Sequence, residues 1–425
     1  MKYLIKGGRV VDPKNKIDEV MDVLISEAKV EKVAKDIKNS GAKIIDAKGK
    51  IVAPGLIDMH VHLREPGRED KETVRTGTEA AIAGGITTVC CMPNTEPSID
   101  TPARVRSLRQ IIKKDAASNV LIIGAITQNR EGKKPVDMQK MKKEGAVAFS
   151  DDGNSIADEK VMLGALKEAK KGSLVLIEHC EDKEIAAKGV VNEGIVATKL
   201  GLRPVAKRSE FERVARNIEL AKKADTRLHI AHVSCAESVD FIRQAKKKGI
   251  KVTAEVTPHH FSLTDECCVA YDTNLKTNPP LRSKADVEAI KKALADGTID
   301  AIASDHAPHG KHEKDTVFDL AEFGMIGLET SLALSICLIE EKVISWSGLI
   351  ELMSFNPARI LGLTSKGHLS KGADADIVII DPQKQWTYKA KSIKSKSKNS
   401  PFIDWQFKGK AVCAIVGGAI KNVCM

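Results

Sequence analysis

Residues 55–65 read GLIDMHVHLRE, an apolar run that ends in two histidines and an arginine. Side chains alternate between the two faces of a β-strand, so His60, His62 and Arg64 are expected to project together. Two imidazoles beside a guanidinium suit a metal site next to an anion site. A motif this short also occurs in ordinary half-buried strands, so the rest of the chain has to decide between these interpretations.

Seven similar strand-like runs follow along the chain, separated by amphipathic helical segments. They are residues 86–95, 120–127, 146–152, 173–180, 227–234, 251–260 and 299–308. Strands that alternate with helices predict an α/β fold with a parallel sheet. Eight such units close most naturally into a (β/α)8 TIM-like barrel. A doubly wound open sheet is the alternative fold.

The two ends of the chain have a different texture, with short strands and turns but no long helices. Residues 1–54 and 364–425 are therefore predicted to form the two parts of one small β-sandwich domain, and residues 55–363 the barrel. In the C-terminal part, the lysine-rich run YKAKSIKSKSKNS at 388–400 is predicted to be a solvated loop.

The composition excludes some classes of partner. The 425 residues carry a formal net charge of +10, but the lysines are spread over predicted helix surfaces and only 4% of residues are aromatic. Stacking platforms for single-stranded nucleic acid are therefore scarce, and no nucleic-acid partner is expected. No apolar run is long enough to cross a membrane, and the N-terminus lacks the form of a signal peptide. No membrane partner is expected either.

The nine cysteines are an odd number and include no C-x-x-C pair. This usage is typical of reduced thiols in a cytoplasmic protein rather than of a disulfide framework. Cys180 and Cys235 lie close in sequence to histidines, but no positioned base is evident beside either of them, which disfavours a catalytic thiol.

Polar residues collect where the predicted barrel strands end, which is where such barrels place their active sites. Eight of the eleven histidines belong to this set. Imidazole and carboxylate ligands without thiolate suit a divalent metal such as zinc in a site that stays open to water. The strand ends carry His60, His62, Arg64, Asn94, Asp151, Asp152, Glu178, His179, Cys180, His232, Ser234, His259, His260, Asp305, His306 and His309.

The alternation of side chains along a strand distinguishes candidate metal ligands from other residues only in part. His229 and His232 are expected on opposite faces, with His232 as the ligand and His229 packed under a helix. His259 and His260 are predicted to be packing residues rather than ligands. Three choices stay open from the residues alone: Asp151 or Asp152, Glu178 or His179, and Asp305 or His306.

Several motifs occur together in one order along the chain. They are APGLIDMHVHLREPG, CMPNT, FSDDG, EHC, LHIAHVS, VTAEVTPHH, TNPPLR, SDHAPH and FGMIGLET, with IKGGRVVDP and KGADADIVIIDP at the ends. Over nearly its whole length the sequence resembles the bacterial class I dihydroorotases of the amidohydrolase superfamily. The resemblance implies the reversible cyclisation of N-carbamoyl-L-aspartate to L-dihydroorotate, a step of de novo pyrimidine (UMP) biosynthesis in the cytoplasm.

The resemblance also implies a centre of two Zn²⁺ ions per chain. The histidines of strand one hold one ion, those of strands five and six hold the other, and Asp152 bridges them. Asp305 is a ligand of the first ion and the catalytic acid/base that works with a metal-bound hydroxide. Many amidohydrolases have a carboxylated lysine at the end of strand four, where this chain reads FSDDG in the class I manner. The implied metal ligands are His60, His62, Asp152, His179, His232 and Asp305.

Substrate contacts follow from the same resemblance. Arg64 is expected to grip the unreactive carboxylate with its two-pronged guanidinium. The sequence departs from the family at Glu322, where proline is usual, which puts a negative charge near an anionic substrate. It departs again at 201–210, GLRPVAKRSE, where the family is usually acidic and rich in proline and glycine. The implied substrate-binding residues are His62, Arg64, Asn94, Asn278, His309, Phe323 and Gly324.

Two other functions fit parts of the pattern. A dihydropyrimidinase, hydantoinase or allantoinase typically uses the strand-four lysine that this chain lacks. An inactive scaffold subunit of aspartate transcarbamoylase is expected to lose metal ligands, and all six are present. The expected partners are the small-molecule substrate and further copies of the chain in a homo-oligomer, with association with aspartate transcarbamoylase left open.

Overall fold

A computed structural model describes residues 2–38 and 41–423, without the side chains of residues 422 and 423. Its strands are β1 Lys2–Asp12, β2 Ile17–Ser26, β3 Lys29–Ala34, β4 Lys43–Asp46, β5 Ile51–Pro54, β6 Leu56–Val61, β7 Ile86–Cys91, β8 Asn119–Gly124, β9 Ala146–Phe149, β10 Leu176–Glu178, β11 Val191–Asn192, β12 Pro204–Val205, β13 Leu228–Ile230, β14 Val252–Val256, β15 Ala301–Ile302, β16 Ile377–Thr387, β17 Gln406–Val416 and β18 Ala419–Val423.

The α-helices cover the barrel and connect its strands. They are α1 Val74–Ala83, α2 Pro102–Asp115, α3 Met138–Glu144, α4 Glu159–Lys171, α5 Lys183–Ala186, α6 Ile195–Leu200, α7 Arg208–Ala224, α8 Ala236–Lys247, α9 Pro258–Ser262, α10 Lys284–Ala295, α11 Lys311–Lys314, α12 Ser331–Glu340, α13 Trp346–Ile350 and α14 Asn356–Leu361.

Eight parallel strands form the central sheet in the order β15-β14-β13-β10-β9-β8-β7-β6. Its two outer strands approach each other at Val61 and His306, which form a parallel bridge. The backbone N–H of His62 also donates to the carbonyl of His306 over 2.9 Å. The sheet therefore closes almost completely, so the predicted (β/α)8 barrel is confirmed and the open-sheet alternative is wrong.

All eight predicted barrel strands are present, but they end earlier than the sequence predicted. Strand β6 ends at Val61 rather than at residue 65. Arg64, His232 and Asp305 have φ values of 60°, 33° and 47°, in the left-handed region that a strand does not use. Apart from His60 and Glu178, the polar residues therefore lie beyond the strands, and strand alternation does not set the direction of Arg64.

The barrel strands are covered by apolar residues on both faces, as parallel strands usually are. Alternate residues of β7 show this directly. Val89 and Cys91 belong to one apolar cluster, whereas Cys90, and Met92 just after the strand, belong to a second one. Two-sided burial holds the strands rigidly, so the turns at their carboxyl ends start from fixed positions.

Strands from both chain ends join in one further sheet, in the order β18-β17-β16-β5-β1-β2-β3, with β4 paired to β1. The two ends meet where β16 runs antiparallel to β5, with Val378 opposite Ala53. Residues such as Ile5 and Ile377 form a separate apolar cluster there. A joint sheet from both ends is confirmed, while the domain boundaries at 54/55 and 363/364 stay predictions.

The lysine-rich run 388–400 is not a solvated loop, so that prediction is wrong. Ser395, Ser397 and Asn399 are only 1%, 7% and 5% exposed, although the lysines between them are exposed. The alternation of buried and exposed positions is that of an extended segment packed on one side. Apart from Tyr388 and Ile393, its buried residues are polar, which is why composition alone gave the wrong answer.

A buried ion pair joins helix α7 to the segment that precedes α10. Nη2 of Arg282 lies 3.3 Å from Oε2 of Glu210, and Arg282 is 2% exposed. Nε of Arg282 also donates to Ser234 Oγ over 2.9 Å. Burial raises the pKa of Glu210, but the Arg282 charge and the Ser234 hydrogen bonds outweigh it and lower this pKa to about 2. Glu210 therefore stays ionised beside the guanidinium.

We expect Glu210→Ala to lower the free energy of unfolding by about 3–5 kcal/mol, because it leaves a buried guanidinium without its counter-charge. Urea unfolding of the two proteins measures the difference. Glu212→Ala is the matched control, since Glu212 lies on the same helix in an exposed pair with Arg208, with side chains 43% and 65% exposed. It should cost under about 1 kcal/mol. Equal losses in both variants would contradict this account.

Candidate active site

A cavity of about 250 Å³ opens at the carboxyl ends of the barrel strands. It is lined by His62, Arg64, Asn94, Asp152, Gly153, His179, His232, Asn278, Asp305, Ala307, His309, Glu322, Phe323 and Gly324. Every site residue that the sequence predicted is in this lining except His60, which is fully buried. The structure therefore brings the predicted residues together around one space.

His60 and His62 face two carboxylates at the floor of the cavity. Nε2 of His60 lies 3.2 Å from Oδ1 of Asp152 and 3.6 Å from Oδ1 of Asp305. Nε2 of His62 lies 3.0 Å from Oδ1 of Asp305. The His60 Nε2 atom is buried and makes no hydrogen bond to any residue that the structure describes. A buried nitrogen without a partner, facing carboxylate oxygens, is in the position of a metal ligand.

His179 and His232, which follow β10 and β13, lie on another side of Asp152. Nδ1 of His179 and Nε2 of His232 lie 3.9 Å and 3.8 Å from Oδ1 of Asp152, and 2.9 Å from each other. Asp152 thus lies between two pairs of imidazoles. Two groups have ligand atoms that all lie within 4.8 Å of one another: His60, Asp152 and His232, and His60, His62 and Asp305.

The histidines and aspartates at this centre shift one another's pKa values. Burial lowers the pKa of His60, but the charges of Asp152 and Asp305 outweigh burial and raise this pKa well above its ordinary value. Burial raises the pKa of Asp152, but His60 and His232 lower it well below its ordinary range. The pKa of Asp305 is lowered as well, so both carboxylates are ionised although their side chains are only 6% and 13% exposed, which favours a bound cation.

The structure separates the two neighbouring aspartates that the sequence could not separate. Asp151 accepts hydrogen bonds from the backbone N–H groups of Ile126 and Thr127 over 2.8 Å and 3.0 Å, which ties it to the preceding loop. Asp152 faces the imidazoles instead. Only Asp152 is therefore placed to contact a metal ion.

The structure also separates the other two pairs of candidates, Glu178 or His179 and Asp305 or His306. Oε1 of Glu178 accepts a hydrogen bond from Ser155 Oγ over 3.0 Å, while the neighbouring His179 lines the cavity. Nε2 of His306 lies 3.3 Å from a carboxylate oxygen of Glu72, while Asp305 lines the cavity. Glu178 and His306 therefore support the loops around the site.

His259 and His260 lie in α9 directly after β14, and both are buried. Nδ1 of His260 lies 2.7 Å from Oγ1 of Thr257, and its Nε2 donates to the carbonyl of Pro279. Neither histidine belongs to a group of candidate metal ligands among the described residues. This placement agrees with the prediction that they pack rather than ligate.

Sequence reasoning missed Glu255, a fully buried carboxylate on β14. Its Oε1 lies 2.8 Å from Nδ1 of His60 and its Oε2 lies 3.1 Å from Nε2 of His229. Burial raises the pKa of Glu255, but hydrogen bonds to His229 and His60 outweigh it and lower this pKa to about 2. Acids are rarely buried without a partner, so a lone glutamate inside the apolar run VTAEV was the available signal.

The prediction that His229 packs under a helix is wrong. Besides Glu255, its ring contacts Thr253, with Nδ1 at 2.8 Å from Oγ1. The error lies in extending strand alternation from His229 to His232, because β13 ends at Ile230 and His232 has a positive φ. Both histidines therefore lie near the centre, one as a candidate ligand and the other behind Glu255.

Arg64 and His309 form the wall of the cavity next to the predicted metal ligands. Nε of Arg64 donates to the carbonyl of Pro308 over 3.1 Å, and its Nη2 lies 3.3 Å from Nε2 of His309. Nε2 of His309 also lies 2.8 Å from the carbonyl oxygen of Phe323. A fixed guanidinium at the mouth of a small cavity is suited to a carboxylate group of a ligand.

Two predicted amides adjoin the imidazoles, and Glu322 lies at the cavity rim. Nδ1 of His62 donates to Asn94 Oδ1 over 2.8 Å, and Nδ2 of Asn278 lies 3.4 Å from Nε2 of His179. The exposed side chain of Glu322 reaches the rim of the cavity. Both amides thus lie where they can contact a bound ligand and a candidate metal-binding histidine at once.

The cysteines described by the structure are free thiols. Cys180 and Cys235 are buried, and burial raises the pKa of both thiols well above the ordinary value. Because the thiolate is the reactive form, neither residue suits nucleophilic catalysis, in line with the sequence prediction.

Two family models match the chain. A dihydro-orotase-like model matches residues 49–238, and an amidohydrolase family model matches residues 209–420. The dihydroorotase of Elusimicrobium minutum is 53% identical to this chain over 422 residues, which are 99% of this chain and 98% of that protein. The dihydroorotase of Pelotomaculum thermopropionicum is 50% identical, with the same coverage of both chains. The similarity therefore extends over the barrel and both ends.

Solved structures of similar shape come from related amidases. The L-hydantoinase (dihydropyrimidinase) of Arthrobacter aurescens gives a TM-score of 0.90 at 26% identity, covering 99% of this chain and 96% of that one. The dihydropyrimidinase of Brevibacillus agri gives 0.87 at 25% identity, with 100% and 96% covered. The barrel with its additional sheet is thus shared, whereas sequence identity is much higher to dihydroorotases.

We expect Glu255→Gln to weaken the binding of a divalent metal ion about 10- to 100-fold, because His60 loses the carboxylate that orients its ring. Competition with a chelator of known affinity measures this. Glu178→Gln is the control, since Glu178 is equally buried at a strand end and bonds to Ser155 and Ile156 rather than to a histidine. Equal metal affinities in the two variants would refute the role of Glu255.

Proposed function

The chain belongs to the dihydroorotase family of the amidohydrolases, and from this premise we propose how its active site works. Its activity is the reversible interconversion of N-carbamoyl-L-aspartate and L-dihydroorotate, by closing or opening a cyclic amide. The observation that carries this conclusion is the identity of 53% to a dihydroorotase over nearly the full length of both chains. The cavity adds a cluster of four imidazoles and two carboxylates beside an arginine.

We propose that this cluster holds two zinc ions. His60, His62 and Asp305 would hold one ion, His179 and His232 would hold the other, and Asp152 would contact both. Support comes from the unpartnered His60 nitrogen and from a donor set without thiolate. Zinc in such a site lowers the pKa of water to about 7 and polarises a carbonyl oxygen.

We propose Asp305 as the catalytic acid/base. Its carboxylate faces the cavity beside His62, at 3.0 Å from Nε2. Burial raises its pKa, but the charge of His60 and the bond to His62 lower it below the ordinary range, so the carboxylate carries no proton before the reaction. In ring opening Asp305 takes a proton from the attacking water and passes it to the leaving amide nitrogen. Ring closure uses the same steps in reverse.

The substrate keeps one carboxylate that does not react. We propose that Arg64 binds it with two parallel hydrogen bonds, helped by Asn94 and His309. The backbone at Phe323 and Gly324 then faces the amide ring from the same wall. Asn278, beside His179, would contact the opposite edge of the ring.

The oligomeric state and the cellular location are inferred from the family resemblance alone. We propose a homo-oligomer, with association with aspartate transcarbamoylase as a further expectation, and a cytoplasmic location. Within the described ranges no helix combines the length and apolar character needed to span a membrane.

We expect zinc-loaded protein to hydrolyse L-dihydroorotate in preference to hydantoin and dihydrouracil, and Asp305→Asn to lose about 10²- to 10⁴-fold in kcat. Turnover and zinc content are measured on the same samples. Asp240→Asn is the control, because its side chain is 66% exposed on α8, and it should be fully active. Faster turnover of hydantoin would mean a different cyclic amidase, and zinc without turnover of any of the three would contradict the enzyme assignment.

We expect Arg64→Lys to lose about 10- to 100-fold in kcat/KM for dihydroorotate, because an ammonium cannot reproduce two parallel charged hydrogen bonds. Steady-state kinetics measures this. Arg75→Lys, at an arginine that is 59% exposed and pairs with Asp115, should leave kcat/KM unchanged. Near-normal kinetics for Arg64→Lys would remove the carboxylate-binding role from this residue.

A further inference from the structure

The segment 393–399, which we call the strap, follows β16 of the sheet that both chain ends form. It runs from that sheet to the face of the barrel that carries the cavity. Its odd-numbered residues Ile393, Ser395, Ser397 and Asn399 are buried, and the lysines between them are exposed. A polar segment buried in this alternating manner needs partners for each buried group. Those partners lie in the loops that surround the cavity.

The first half of the strap binds the loop that follows β6. Ser395 Oγ donates to a carboxylate oxygen of Glu72, and the N–H of Lys396 donates to the other oxygen over 3.1 Å. Ser397 Oγ donates to the carbonyl of Lys71 over 2.7 Å. The strap is therefore anchored to the loop that also carries Arg64.

The second half of the strap ends at Asn399. Its side-chain amide bonds to two segments of the cavity wall, residues 307–309 and residues 323–324. Nδ2 donates to the carbonyls of Ala307 and Gly324 over 3.0 Å and 3.2 Å. Oδ1 accepts from the N–H of His309 over 3.1 Å. The carbonyl of Asn399 accepts in addition from the N–H of Ile326 over 2.9 Å. Both amide protons and the amide oxygen are thus in use.

We propose that Asn399 is a positioning residue that sets the spacing between His309 and the backbone at residues 323–324. Ala307, His309 and Gly324 all line the cavity, whereas Asn399 does not. It reaches the substrate only through them. This inference rests on the proposed function, because it assigns to that wall the binding of the substrate carboxylate.

The consequence of losing this amide is local. Without it, the carbonyls of Ala307 and Gly324 and the N–H of His309 lose a buried partner. The two segments then relax, and the contacts of His309 with Arg64 and with the Phe323 carbonyl are no longer held. Weaker positioning of the carboxylate raises KM, while the proton transfer at Asp305 is untouched.

A merely structural role gives a different result. If Asn399 only stabilises the fold, its loss reduces the fraction of active molecules, which lowers kcat and leaves KM unchanged. The split between KM and kcat therefore separates the two explanations. Zinc content per chain, measured on each sample, shows whether the metal ligands are intact.

The experiment compares Asn399→Ala and Asn399→Asp with wild type, using L-dihydroorotate and full-length zinc-loaded protein. Asparagine and aspartate have nearly the same shape, so Asn399→Asp keeps the packing and the acceptor but removes both donors. We expect KM to rise about tenfold or more in both variants, with kcat within about threefold of wild type and zinc content unchanged.

Asn356→Ala is the matched control. Asn356 is also a buried asparagine, 8% exposed, and its Nδ2 donates to the carbonyl of Asp300 over 3.0 Å, away from the cavity. This variant should keep the wild-type KM even where it lowers stability. An unchanged KM in both Asn399 variants, or the same KM change in Asn356→Ala, overturns the inference. Wild-type protein without activity on dihydroorotate instead refutes the proposed function itself.

Discussion

Two ionised carboxylates, one buried and one only 13% exposed, lie among four imidazoles at the end of the barrel, and the rest of the site depends on this arrangement. Removing a charge from water costs several kcal/mol even after the protein relaxes. Asp152 and Asp305 meet that cost by facing His60, His62 and His232, which hold the pKa of both acids low. Nε2 of His60 makes no hydrogen bond to a described residue, although it lies 3.2 Å from a carboxylate oxygen of Asp152. We propose that a divalent cation lies between these ligand atoms.

Such a centre requires that its residues are held rigidly. Successive layers of hydrogen bonds around the centre hold them. Asp58 accepts hydrogen bonds from the N–H groups of His60 and Ser304 over 3.1 Å, which ties the first barrel strand to the last. Glu255 orients His60 from β14. Beyond them, the strap from the C-terminal part reaches over the barrel, and Asn399 connects the wall segments that carry His309 and Gly324. The chain end thus takes part in building the site.

The barrel and most of the site follow from the sequence because they depend on local patterns. Apolar runs bounded by polar residues mark the strands, and the histidines after them mark the catalytic face. Patterns fail where the chain leaves regular geometry. Alternation could not choose Asp152 over Asp151, and it misplaced His229, because His232 and its neighbours lie in a turn with positive φ. The strap was missed because its partners at residues 71–72 and 307–324 are distant in sequence and its buried face is polar.

Anomalous diffraction at the zinc absorption edge, from crystals of the zinc-loaded protein, tests the central claim most directly. The account predicts two anomalous peaks in the cavity on either side of Asp152, one among His60, His62 and Asp305 and the other beside His179 and His232. Zinc peaks that lie elsewhere on the chain, or a cavity without any peak in crystals of enzyme that turns over dihydroorotate, would contradict it.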